Sequence, residues 1–172
     1  MEEDGLEARA YHEAGHAAVA WSLGIFVHEL TIEEGRYQQG WVGRQNALAG
    51  VAENAFDGRE AGRLQAEREI VSLFAGALAE ARYTNGGFDL EAAGCDLTEA
   101  QDRLRLLEPE PEVRDALQRY LEVKTTAVLE RRWSLVKALA SDLLAYGTLS
   151  GMAVLSVVRR HASAPRMDPS EA

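Results

Sequence analysis

Apolar residues recur at three- and four-residue intervals over most of this chain, the spacing that keeps one face of an α-helix dry. From about Leu6 to Leu23 the residues are mainly Ala, Leu, Glu and Arg, all strong helix formers. Glu2, Glu3, Asp4 and Glu7 stand at its start, where carboxylates meet the positive end of the helix dipole. Beyond Glu13 the segment is nearly all apolar (Ala14, Ala17, Ala18, Val19, Trp21), which predicts a buried second half, and Gly24 is placed to end it. A second helix is predicted from about Arg59 to Tyr83. It has Leu64, Ile70, Val71, Phe74, Leu78 and Ala81 on one broad face and Arg63, Glu67, Arg68 and Glu69 opposite. A third starts near Cys95 or Asp96 and runs to about Leu107 on a stripe of Leu97, Ala100, Leu104 and Leu107. After Glu108-Pro109-Glu110-Pro111 a long helix runs from about Glu112 to Trp133 or beyond, with Val113, Leu117, Leu121 and Val128 inward. Another covers about Leu135 to Tyr146, and Ser150 is positioned to cap a last short helix through Met152, Val154, Leu155 and Val158.

The texture changes between Ile25 and Ile32. Ile25, Val27, Leu30, Thr31 and Ile32 are β-branched or apolar without a helical period, which predicts a strand over about Val27 to Glu33. Glu34-Gly35-Arg36 turns it, and Gly40-Trp41-Val42-Gly43-Arg44 reads as a second short strand, antiparallel to the first. Ala47 to Asp57 fits a loop or a short irregular helix, and Phe88 to Gly94 a linking loop. The expected fold class is therefore mainly α (α+β): a helical domain with a small β-hairpin or sheet after the first helix. Its 172 residues suit one domain over residues 1–163, with a flexible tail at 164–172 marked by Pro165 and Pro169.

Composition narrows the classes. Apolar content of 47% and charged content of 27% are those of an ordinary globular chain. A formal charge of -10 with scattered Lys and Arg argues against nucleic acid and anionic membranes, because phosphate contacts need clustered cations. A single cysteine, Cys95, makes no internal disulfide. Met1-Glu2-Glu3-Asp4-Gly5 has no apolar core for a signal peptide, and no run reaches the roughly 18 apolar residues of a membrane helix. By elimination, a cytoplasmic location without membrane insertion is expected.

The chemistry concentrates in the first helix. Ala10-Tyr11-His12-Glu13-Ala14-Gly15-His16-Ala17 contains H-E-x-x-H. Residues four apart on a helix are neighbours, so His12 and His16 reach one metal ion, and Glu13 beside them is suited to take a proton from a metal-activated water. Catalytic zinc usually has three protein ligands. His28 lies in the predicted strand, where a lone histidine is more often structural, and His161 stands beside Arg159 and Arg160, whose charges disfavour a metal. Asp96, near the start of a helix, is either the third ligand or only its N-cap; residue type leaves both open. Asp89 and Glu80 are weaker candidates, and Cys95 fits a small residue before a helix better than a thiolate ligand or nucleophile.

These pieces, taken in order, resemble the peptidase domain of FtsH-type ATP-dependent zinc proteases. Ala10-Tyr11-His12-Glu13-Ala14-Gly15-His16-Ala17 matches that family's A-Y-H-E-A-G-H-A. Val27-His28-Glu29-Leu30-Thr31-Ile32 is similar to V-H-K-V-T-I, and Gly40-Trp41-Val42 to its G-Y-T/V strand. Ala75-Gly76-Ala77-Leu78-Ala79-Glu80 is similar to G-G-R-A-A-E, with Ala75 in place of the first glycine. Gly94-Cys95-Asp96-Leu97-Thr98-Glu99-Ala100 is similar to A-S-N-D-L-x-x-A-T, with Gln101 in place of the threonine, and Thr148-Leu149-Ser150-Gly151 to E-T-L-D/S-G. The H-E-A-G-H-A block is the specific one; the others are individually short. The resemblance implies Zn2+ held by His12, His16 and Asp96, Glu13 as the catalytic base, and hydrolysis of peptide bonds. It also implies a structural His28. Those proteases carry an ATPase module and membrane anchors ahead of the peptidase domain, and neither these nor a phosphate-binding Gly-x-x-x-x-Gly-Lys-Ser/Thr loop occurs here. The expectation is a stand-alone domain that cuts unfolded or flexible polypeptides, with a separate ATPase or self-association as routes for feeding them. The alternative is a non-catalytic zinc-binding or regulatory module that retains the fold.

Overall fold

The computed structural model describes residues 2–33, 60–86 and 94–162. Among them are five helices and one two-stranded antiparallel sheet: α1 (Glu2–Ser22), β1 (Glu29–Thr31), α2 (Glu60–Thr84), α3 (Gly94–Leu107), α4 (Pro111–Tyr146), β2 (Thr148–Ser150) and α5 (Gly151–Ala162). The chain is thus mainly α, as its periodicity predicts. The predicted strand at 40–44, the ambiguous stretch 47–57, the linking loop 88–93 and the tail 164–172 lie outside the described residues.

α1 is the central helix, packed against α2 and α4. Its second half is buried as predicted: Ala14, Ala17, Ala18, Val19 and Ala20 are inaccessible to solvent. These small side chains let the neighbours come close, and Gly15 closest of all; a Cβ there would lie 2.6 Å from the Ala75 carbonyl oxygen. The helix ends at Gly24, whose φ of 77° suits glycine. Ile25 N–H donates to the Ala20 carbonyl and Gly24 N–H to that of Trp21, which occupies carbonyls that the helix end leaves free. Immediately before His12, α1 is tied to its neighbours by aromatic rings. Tyr11 stacks on Tyr83 of α2 at 4.0 Å and on Trp133 of α4 at 5.7 Å, and Arg82 lies over the Trp133 ring at 4.2 Å.

α2 departs from its one-sided prediction. Leu64 is exposed, whereas Glu69 is buried and accepts a hydrogen bond from Gln65 at 3.2 Å with Arg103 of α3 nearby at 3.8 Å. The reason is position: α2 is covered by α1, α3 and α4, so most of its circumference from Glu69 to Ala77 is inside.

The two helices predicted on either side of Ser134 are one continuous α4. Nothing between Trp133 and Leu135 breaks a helix, since serine alone costs only a few tenths of a kcal/mol, well under ~1. Pro111 opens α4 at its first turn, where a missing N–H costs nothing. Its inner face is Leu121, Thr125, Leu129 and then Leu135 to Leu143, so Val113, predicted inward, is exposed. In α5, Val154, Val157 and Val158 are buried and Met152 is exposed. Ser150 caps it as predicted, accepting from Ala153 N–H at 3.3 Å.

The partner of β1 is also a finding. Glu29, Leu30 and Thr31 pair with Ser150, Leu149 and Thr148, residues for which the sequence predicts no strand. Leu30 and Leu149 face each other from buried positions, and the Thr31 and Thr148 hydroxyls are 2.7 Å apart.

Candidate metal centre

α1 and α2 run antiparallel, so the start of one meets the end of the other. His12 on α1 therefore faces Glu80 on α2, and His16, one turn later, faces Ser72, two turns earlier. Nδ1 of His12 lies 2.8 Å from Glu80 Oε2, and Nδ1 of His16 lies 2.7 Å from the Ser72 carbonyl oxygen. A carbonyl and a carboxylate only accept, so both Nδ1 atoms carry hydrogen. In each neutral ring the lone pair then belongs to Nε2.

Both Nε2 atoms point at the same carboxylate. Asp96 Oδ2 is 3.1 Å from His16 Nε2 and 3.4 Å from His12 Nε2. Asp96 is brought there by α3, which packs on α2 through the buried Leu97, Ala100 and Leu104. The helix begins at Gly94, so Asp96 lies within its first turn and is not the N-cap. Two imidazole lone pairs and a carboxylate oxygen in mutual contact repel unless a cation lies among them. His12, His16 and Asp96 form a group that can hold a metal ion, with one ligand atom from each and all within 4.8 Å of one another.

Without a metal, a proton takes the cation's place. Burial disfavours the charged His12 ring, but hydrogen bonds to Asp96 and Glu80 and the charges of Glu13 and Asp96 outweigh it. The His12 pKa is raised from 6.5 to about 9. Glu80 is held below its ordinary 4.5, chiefly by its hydrogen bond to His12.

No protein-family model matches the chain. No curated protein matches it either.

His16 is fully buried, Glu13 is 7% exposed, and the side chains of His12 and Asp96 keep 14% and 23% of theirs, so the centre opens on the side of His12 and Asp96. The other histidines stand apart from the group. His28 is exposed at the sheet, with its ring against Phe26 at 4.7 Å, and His161 is exposed at the end of α5. Asp89 and the Cys95 side chain lie outside the described residues. Glu80, weighed as a ligand from the sequence, instead accepts a hydrogen bond from His12 Nδ1. Ser72 acts through its carbonyl, which its residue type does not reveal. The available signal was spacing: Ser72 and Glu80 stand eight apart on α2, two helical turns, and bracket the pair His12 and His16.

Proposed function

We propose that this chain is a zinc-dependent endopeptidase that hydrolyses peptide bonds of unfolded or flexible polypeptides, in the manner of the FtsH-type peptidase domains it resembles. The observation that carries the reading is the convergence of both H-E-x-x-H imidazoles, each with its lone pair on Nε2, on the Asp96 carboxylate beside a buried Glu13. Two nitrogen donors of three favour zinc over a hard cation such as magnesium or calcium. Ligand atoms on a tetrahedral zinc, with bonds of roughly 2.0–2.1 Å, stand about 3.3 Å apart. The two Nε2 to Oδ2 separations, 3.4 and 3.1 Å, are near that value, and all three ligand atoms lie within 4.8 Å of one another.

When bound, zinc supplies Lewis acidity, polarising a carbonyl and lowering the pKa of a water toward about 7. His12 and His16 would hold it through Nε2 and Asp96 through a carboxylate oxygen. Glu13 accepts a proton from the attacking water as the water oxygen bonds to the scissile carbonyl carbon. It then gives that proton to the amine nitrogen as the C–N bond breaks, and so ends in the state in which it began. Its burial strengthens each of these charge interactions by excluding solvent. Glu80 and the Ser72 carbonyl keep the imidazoles from turning.

The test is metal analysis of the purified protein together with cleavage of an unfolded protein such as casein. Glu13→Gln is expected to keep zinc and to lower kcat/KM by about 10²–10⁴-fold. Cleavage unaffected by Glu13→Gln refutes the mechanism. Zinc bound without cleavage of any peptide in a broad library replaces the enzyme with the non-catalytic zinc-binding module.

A further inference from the structure

Gly76 lies midway between the two α2 residues that orient the imidazoles. Ser72, four residues earlier, accepts from His16, and Glu80, four residues later, accepts from His12. Four-residue spacing puts all three on one stripe of the helix, so Gly76 lies under the point where the rings converge. A Cβ built at Gly76 would fall 2.6 Å from His12 Nε2 and 2.7 Å from His12 Cδ2, and closer still to His16 Nε2. Its three nearest atoms are therefore all imidazole atoms, and two of them are the nitrogens that would bind metal. Gly15 is different. The atoms nearest its missing Cβ belong to Ala75 and Ala79, including a backbone carbonyl, so Gly15 serves the close crossing of α1 and α2.

We infer that Gly76 is a positioning residue of the metal centre: it leaves empty the space in which both Nε2 atoms must sit to reach one ion. Any side chain there pushes the rings off the α2 surface and away from Asp96, while Ser72 and Glu80 pull them onto it. The absence of a side chain and the two acceptors together form a preorganised floor for the imidazoles. The inference rests on the metal-centre reading above.

Gly76→Ala tests it, with zinc alone as the probe. Zinc affinity is read by competition with a chromophoric chelator, and thermal melting of the metal-free protein is read in parallel. The variant is expected to bind zinc about 10–100-fold more weakly, the range seen when groups that orient metal ligands are lost. Melting is compared in two backgrounds, the natural one and His12→Ala/His16→Ala. Gly76→Ala is expected to lower the melting temperature only where the rings are present. Without them it should be neutral or stabilising, because alanine is the better helix former. Unchanged zinc affinity overturns the inference, and so does an equal loss of stability in both backgrounds, which would mark Gly76 as a helix-packing residue. Absence of zinc binding by the natural protein refutes the metal-centre reading itself, and the melting comparison still reports whether the rings occupy the space above Gly76.

Discussion

Glu80 Oε2 lies 2.8 Å from Nδ1 of His12, across the interface between α1 and α2 and 68 residues along the chain. This carboxylate fixes the tautomer that presents Nε2 to Asp96 and makes that nitrogen more basic. Glu80→Gln keeps a similar shape but loses the charge. Zinc affinity, measured by chelator competition, is expected to fall about 10–100-fold. An affinity within twofold of the natural protein would show that the His12 ring is oriented by something else.

Asp96→Ala removes the proposed third ligand without touching the core. Asp96 is 23% exposed and sits in the first turn of α3, where a carboxylate stabilises the helix by about 0.3–1 kcal/mol. Metal-free melting at neutral pH is expected to drop as well, because Asp96 accepts from His12 and helps hold its proton. Zinc affinity should fall by more than the roughly 100-fold that loss of an orienting partner can cost. Retained affinity would remove Asp96 from the ligand set.

The raised pKa of His12 sets a pH dependence for the metal-free protein. A histidine at about 9 in the folded state and 6.5 as its ordinary value stabilises the fold fully below pH 6.5. That contribution fades as pH rises through about 9. Glu80, lowered from 4.5, contributes above pH 4.5 and loses its contribution as pH falls through its lower folded value. The melting temperature of the metal-free protein is expected to decline between pH 6.5 and about 9. Zinc requires the neutral ring, so its affinity should climb over the same interval, by up to about tenfold per pH unit. A metal-free stability that increases from neutral to alkaline pH would contradict the His12 shift.

Gly15→Ala places a methyl group against the Ala75 carbonyl oxygen at 2.6 Å and the Ala79 Cβ at 2.5 Å. Overpacking of this kind costs about 1–3 kcal/mol. The ~1 kcal/mol that alanine gains in helix propensity offsets only part of it. Denaturant unfolding is expected to show net destabilisation, and a more stable variant would mean that α1 and α2 separate without cost.

Much of the fold was legible because it is local. Four helices follow from apolar spacing with their ends near the right residues. The His12–Glu13–His16 constellation needs nothing beyond the 3.6-residue turn to place both imidazoles on one side. Errors arose where burial comes from several directions: Glu69 and Leu64 exchange places relative to a one-faced reading of α2, because three helices cover it. The split of α4 at Ser134 failed because no strong breaker stands there.

What the chain determined alone was the pair of imidazoles, their glutamate and a helical domain to carry them. The tertiary structure decided which ring atoms face Asp96. The antiparallel crossing of α1 and α2 chose Nε2 over Nδ1 by bringing Ser72 and Glu80 to the far side of each ring. The return of α3 carried Asp96 to within 3.1 Å of His16, across 80 residues of chain. The same holds for β1, whose partner Thr148–Ser150 follows the last turn of α4. Spacing along a helix is imposed by backbone geometry within a few residues. Contacts between distant segments are chosen by which buried faces fit together, and that choice is made by the packed core as a whole.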